Sequence, residues 1–129
     1  DGGSTMVKPK QLGHLVLRVR DVERSEKFYT ENLGLSVTTK RPGVMTFLSA
    51  GSDASHELAL MAVGADAPGP EQNRVCLYHF AWEMESFEDL KKLYAELKGK
   101  EIEVFYELPR DQWPEGDIFQ GRFPGSLED

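Results

Sequence analysis

The length of 129 residues fits one domain, and an apolar fraction of 40% is enough for a hydrophobic core, which excludes a largely disordered protein. The formal net charge of −7 argues against nucleic acid or an anionic membrane as the main partner, because both require a basic surface. Cys76 is the one cysteine, so no internal disulfide can form, and we expect a cytoplasmic protein with this thiol in the core. The apolar stretches are too short to span a bilayer.

Residues 1–10 are predicted to be a leader outside the fold, and repeat one is expected at 11–63. This repeat opens with a strand at 12–19 and a helix whose N-cap is Asp21 and whose C-terminal stop is Gly34. Turn residues separate three further predicted strands: Leu35–Lys40, Val44–Ser49 and His56–Val63. The pattern therefore predicts a βαβββ unit.

Repeat two is expected at 75–108, after a linker at 64–74 that contains proline and glycine. It is predicted to open with a strand and a helix, as repeat one does. The helix begins after Ser86 and ends at Gly99. A single strand then follows, so this repeat is about 18 residues short, the length of a two-strand hairpin.

The predicted fold class is α+β, with both repeats in 11–108 forming a cupped mixed sheet and the second repeat lacking a hairpin. Residues 109–129 contain several turn signals and aromatic side chains, which indicate an arm over the same domain or over a neighbouring subunit. Arg18 and Glu83 occupy equivalent positions in the repeats, and we interpret them as a pair across the cup.

His14 and His79 are also equivalent, since they are 65 positions apart and each lies in the first strand of its repeat. Strand alternation places each of them on the less bulky face, so a pseudo-twofold arrangement would bring both to the same cup. Either histidine alone would be interpreted as a hydrogen-bonded core residue. The pairing predicts instead that both bind a divalent metal, for which neutral imidazole is the commonest protein ligand.

A third ligand is expected from a carboxylate on a final strand, and Glu103 is the candidate; the alternative is a solvent-facing glutamate. Two histidines and one carboxylate leave coordination positions open, a pattern typical of non-haem Fe(II). His56 and Glu57 open the fourth strand, where alternation lets one of them face the cup. There His56 would act as a general acid or base, or Glu57 as a fourth metal ligand; otherwise each is a rim residue.

Three segments together resemble the vicinal oxygen chelate superfamily: LGHLVLRVRD at 12–21, SHELAL at 55–60 and LYHFAWE at 77–83. The second and third are similar to its catechol 2,3-dioxygenase-like branch, and the resemblance covers roughly 11–114. It implies Fe(II) ligands at His14 and His79 and a ligand glutamate at Glu103. It also implies a catalytic acid–base histidine at His56.

The sequence departs from that family between Lys100 and Glu101, where a segment with a second catalytic histidine and a tyrosine-bearing strand is missing. The family resemblance nevertheless favours an Fe(II) extradiol-type dioxygenase acting on a catechol-like small molecule, and it implies a homodimer. One alternative is a glyoxalase-like isomerase or lyase that uses Mn, Ni or Zn, with Glu57 as a ligand. Another is a non-catalytic protein that binds a small molecule such as an antibiotic.

Overall fold

The computed structural model describes residues 6–52, 54–71, 73–77 and 80–102, and the backbone of 118–119. The first part of the chain forms five elements: β1 (Leu15–Val19), α1 (Val22–Leu33), β2 (Ser36–Arg41), β3 (Met45–Ser49) and β4 (Leu58–Ala62). The later part forms three more: β5 (Trp82–Glu83), α2 (Phe87–Gly99) and β6 (Ile118–Phe119). The βαβββ order predicted for repeat one and the α+β class are confirmed.

Strands β1 to β4 form one mixed sheet in the order β1-β4-β3-β2. The β1–β4 pair is parallel, and the β3–β4 and β2–β3 pairs are antiparallel. Because parallel pairing requires a crossover, α1 and the β2–β3 hairpin lie in sequence between the two paired strands. β1 is consequently an edge strand of this sheet.

One face of the sheet is buried against α1 and carries the main core. Leu17 of β1 and Leu60 of β4 are buried on this face, and Tyr29 of α1 belongs to the same core cluster with 1% of its surface exposed. The opposite face, which we call the open face, carries Val16 and Arg18 on β1 and the positions that pair with them across the sheet. Val16 is 44% exposed, so the open face is only partly covered by the described residues.

The predicted helix caps are confirmed in three places. Asp21 accepts a hydrogen bond from the Arg24 backbone N–H at 3.0 Å, and Gly34 takes the left-handed conformation with φ 69°. Ser86 accepts from the Asp89 backbone N–H at 3.0 Å. These local bonds satisfy helix-terminal groups that packing alone would leave unpaired.

Helix α2 packs on α1 rather than on the sheet. Leu93 and Leu97 are buried in a second cluster to which Phe28 and Leu33 of α1 contribute. Lys100, just after α2, donates from Nζ to the Asn32 side chain at 2.9 Å and to the Glu31 carbonyl at 3.3 Å. A positive charge at the C-terminus of α1 is stabilising, because the last turn exposes unpaired carbonyl groups.

The predicted helix stop at Gly99 is correct as the last helical residue, but the left-handed residue is Glu101, with φ 60°. The Glu101 N–H bonds to the Lys98 carbonyl and the Ile102 N–H bonds to the Leu97 carbonyl. This bonding, with Ile102 packed near Leu97, is a Schellman motif. The chain therefore leaves α2 through a closed cap directly into the segment predicted as the final strand.

The rest of repeat two is described only in part. Phe80 and Trp82 pack against the main core. In the arm, β6 pairs antiparallel with β5. Most of the predicted strand at 102–108, and the leader residues 1–5, lie outside the described residues.

Cys76 is exposed, so its predicted place in the core is wrong: it lies in an irregular segment before β5 and in neither a helix nor a strand. Among the helices that the structure describes, none has the length and apolar character needed to cross a membrane.

We predict that Glu101→Gly stabilises the protein, because glycine adopts a positive φ without the steric cost of a Cβ atom. The free energy of unfolding, measured by urea denaturation, should rise by about 0.5–1 kcal/mol. Glu96→Gly inside α2 is the control and should lower it by about 1 kcal/mol. Equal losses in both variants would show that Glu101 is not the left-handed cap residue.

Candidate metal and acid–base site

His14 lies immediately before β1 and its side chain is exposed. The next residue anchors it, since the Leu15 N–H donates to the Glu57 carbonyl at 3.1 Å and so ties the start of β1 to the residue before β4. Within the described part of the chain, the His14 imidazole makes no hydrogen bond or ion pair. None of the described residues therefore blocks its ring nitrogens from binding a ligand.

His56 is the residue that the structure brings to His14. The two ring centroids are 4.5 Å apart with an interplanar angle of 45°, although 42 positions separate the residues in sequence. Phe47 approaches His56 edge-on at 4.9 Å. The Ser55 hydroxyl lies 3.0 Å from His56 Nδ1, which occupies that nitrogen and leaves Nε2 as the free one. The sequence predicted that either His56 or Glu57 would face the cup. His56 is the one whose side chain contacts His14.

Glu57 is turned towards the loop between β3 and β4. Its two carboxylate oxygens accept backbone N–H groups of Ala50 at 2.8 Å and of Ser52 at 3.1 Å. Burial raises the pKa of this carboxyl, but hydrogen bonds from the Ser52 side chain and from the Ala50 and Ser52 backbone outweigh it, and the pKa lies below its ordinary value. The Glu57 carboxylate therefore stabilises the loop between β3 and β4.

His79 and Glu103, the other two predicted metal ligands, lie outside the described residues. Within the residues that the structure does describe, no three or more His, Cys, Asp or Glu side chains are grouped as a metal site. His14 by itself fits such a site in its chemistry, since it offers an unpaired imidazole on an exposed strand end.

The open face continues from the histidines as an apolar wall. Val16 of β1 pairs with Ala59 of β4, which in turn pairs with Phe47 of β3. Phe47 contacts His56, so the wall and the histidine pair are continuous. Sequence reasoning missed Phe47 and Ser55: alternation in β3 could have placed Phe47 on the open face, but only strand register shows that it meets His56.

Arg18 continues the same face beyond Val16. Neither Arg18 nor Glu83 has a hydrogen bond or ion pair among the described residues, so the predicted pair across the cup is wrong there. Both side chains are exposed. The reason is that β5 pairs with β6 and not with β1, so repeat equivalence alone does not bring these two side chains together.

A curated relative and solved structures resemble this chain. It is 28% identical over 114 residues to the manganese-dependent 2,3-dihydroxybiphenyl 1,2-dioxygenase of Geobacillus genomosp. 3. That match covers 88% of this chain but 33% of the relative, so the chain spans about a third of the relative's length.

Two solved structures share the fold. A possible glyoxalase from Bacillus cereus superposes with a TM-score of 0.60 at 23% identity, covering 85% of this chain and 96% of that one. The trypanothione-dependent glyoxalase I of Leishmania major superposes with a TM-score of 0.58 at 25% identity, covering 85% and 84%.

Residues 11–129 match the Glyoxalase/Bleomycin resistance protein/Dioxygenase superfamily. This match includes both predicted repeats and the C-terminal arm, and it agrees with the βαβββ topology of the described first repeat. The chain therefore belongs to the vicinal oxygen chelate superfamily, the glyoxalase, bleomycin resistance protein and dioxygenase family.

Proposed function

We propose that the protein is a metal-dependent enzyme that acts on a small molecule with two adjacent oxygen atoms, in the manner of an extradiol ring-cleaving dioxygenase. The observation that carries this proposal is the His14–His56 pair, with ring centroids 4.5 Å apart beside the open face. The dioxygenase relative from Geobacillus supports it. We also expect a homodimer, by analogy with the superfamily.

The proposed metal ligands are His14, His79 and Glu103. The imidazole of His14 suits a divalent metal, and the manganese dependence in the relative's name supports Mn(II), beside Fe(II), as a candidate ion. When bound, such a metal would orient and polarise both oxygens of the substrate. Nothing else in the proposed chemistry is assigned to it.

His56 is proposed to move the proton. With Nδ1–H donating to the Ser55 hydroxyl, the Nε2 lone pair would accept a proton from a substrate hydroxyl and later return it. The edge-on Phe47 ring limits rotation of the imidazole and keeps water from one side of it. As a metal ligand, His14 would place the diol end of the substrate within reach of His56, because the two rings adjoin.

A glyoxalase-like isomerase or lyase is the second candidate. It is favoured by the position of Glu57, whose carbonyl bonds to the residue after His14, and by the likeness to the Leishmania glyoxalase I structure. In that reaction Glu57 would be a metal ligand, with Ni or Zn bound, and no oxygen would be consumed.

Alanine at each histidine should separate the two roles. We expect His14→Ala to lose most of the bound metal, measured by anaerobic metal analysis. His56→Ala should retain the metal and lower kcat for catechol ring opening about 10²–10⁴-fold.

Oxygen uptake during catechol turnover identifies the reaction. Metal loss in the His56 variant, or unchanged metal content in the His14 variant, would contradict the assigned roles. Turnover with Ni or Zn and no oxygen uptake would support the isomerase or lyase instead. Ligand binding that is unaltered after metal removal, with no turnover, would indicate a non-catalytic binding protein.

Glu57→Gln should lower the free energy of unfolding by about 1–2 kcal/mol at pH 7, because an amide oxygen accepts the loop N–H groups less strongly than a carboxylate. The pKa of Glu57 is lowered by folding, so its stabilisation is fully present above its unfolded pKa of about 4.5 and is lost as pH falls through the folded pKa. The difference between wild type and variant should therefore shrink below about pH 4.5.

Urea unfolding at several pH values measures this difference, and Glu96→Gln on the exposed side of α2 is the control with no expected change. Metal content of Glu57→Gln is measured in the same preparations. Retained metal would support the role of Glu57 in stabilising the loop. Loss of the metal with an unchanged free energy of unfolding would identify Glu57 as the fourth ligand.

A further inference from the structure

The four-stranded sheet of β1 to β4 contains no acidic residue. There are 22 Asp and Glu residues in the sequence and a net charge of −7, yet β1, β2, β3 and β4 contain none of them. The strands do contain three basic residues: Arg18, Lys40 and Arg41. The sheet is therefore a positive element in an acidic protein.

Strand alternation divides these three cations between the two faces. Lys40 lies on the side of α1, where its Nζ forms an ion pair with Glu26 at 3.3 Å. Arg41 is the next residue and so lies on the opposite, open face. Arg18 is on the open face as well, between the buried Leu17 and Val19.

The register of the sheet places both arginines in one row. Arg18 pairs with Met61, Met61 pairs with Met45, and Met45 pairs with Arg41. Both arginines are exposed, and neither side chain has a hydrogen bond or ion pair among the described residues. Three strand spacings separate their Cα atoms by about 14 Å. This arginine row is the end of the open face that lies away from the histidines.

Three zones thus follow one another along the open face: His14 with His56, the apolar wall of Val16 and Phe47, and the arginine row. His14, immediately before β1, and Arg18 on β1 are four residues apart, which is about 13 Å between Cα atoms of extended chain. Histidine and arginine side chains are long enough to span part of that distance. The remaining length suits one aromatic ring with a short acidic side chain opposite the diol.

We propose that Arg18 binds the carboxylate of an anionic aromatic diol, and that Arg41 adds positive potential at the same end of the site. This inference rests on the proposed function for the diol end of the substrate. A guanidinium can bind a carboxylate through two parallel N–H···O bonds, which fixes orientation as well as adding affinity. Met61, beside Arg18, is a flexible apolar contact for the ring or its side chain.

The kinetic test compares 3,4-dihydroxyphenylacetate with its neutral isostere 3,4-dihydroxyphenylacetamide. We expect a lower KM for the acid in the wild-type enzyme. Arg18→Gln should raise the KM for the acid about tenfold to a hundredfold, with little effect on kcat or on the amide. Arg18→Lys should give a smaller rise, since it keeps the charge but not the paired donors.

Arg24→Gln is the matched control, because it removes the same charge from α1, on the other side of the sheet. It should leave both KM values unchanged. Equal KM values for the acid and the amide in the wild type, or equal effects of the Arg18 and Arg24 variants, would overturn the proposal.

A binding measurement is independent of turnover. Metal-free protein with labelled methionine methyl groups is titrated with phenylacetate and then with phenylacetamide. Phenylacetate should shift the Met61 and Met45 signals saturably in the wild type and not in Arg18→Gln. This shift without turnover of any catechol would keep the anion site and reject the dioxygenase. Turnover of the neutral catechol without the shift would keep the dioxygenase and reject the anion site.

Discussion

The parallel pairing of β1 with β4 is the contact on which the rest of the described site depends. This pairing places Leu15 opposite Leu58 and Val19 opposite Ala62. The start of β1 therefore lies beside the start of β4. Parallel neighbours share a direction, and the residues preceding both strands therefore meet at one edge of the sheet. His14 directly precedes β1 and His56 lies two residues before β4, and their contact is a direct result of this pairing.

The two faces of the sheet then take different roles. The face towards α1 is filled by apolar side chains, and its buried Thr46 hydroxyl is satisfied by Glu26 at 3.0 Å. The face away from α1 keeps Val16 and Arg18 accessible. A side chain that is buried in the core cannot also bind a ligand. Because alternate residues of a strand point to opposite faces, one set of side chains packs in the core and the other set can contact a ligand.

Among the described residues, repeat two contacts the first repeat through α2, which packs on α1, and through Phe80 and Trp82, which pack against the main core. Leu97 is fully buried where α2 meets α1, and Lys100 bonds to the last turn of α1. The Schellman motif at Glu101 closes α2 without a glycine in the left-handed position. This attachment matters for the proposed site, because His79 and Glu103 would have to be supplied by the repeat that these contacts hold in place.

Linker contacts add a further constraint between the repeats. Arg20, at the end of β1, donates from Nε to the Ala67 carbonyl at 2.7 Å and also bonds to the Gly69 carbonyl. These bonds hold the start of the linker against the first repeat. Sequence reasoning identified the linker from its proline and glycine residues, but it gave no role to Arg20.

The sequence by itself determined what depends on near neighbours: the alternation of β1 and the caps at Asp21, Gly34 and Ser86. Those features rest on local backbone geometry, which a few adjacent residues specify. Only the tertiary structure decided that His56 joins His14, that Glu57 turns to its loop, and that Arg18 and Arg41 share a row. The histidine contact and the arginine row depend on the register between strands distant in sequence, and register is set by packing of the whole sheet against α1. The Glu57 bonds depend instead on how the loop between β3 and β4 folds back towards the start of β4.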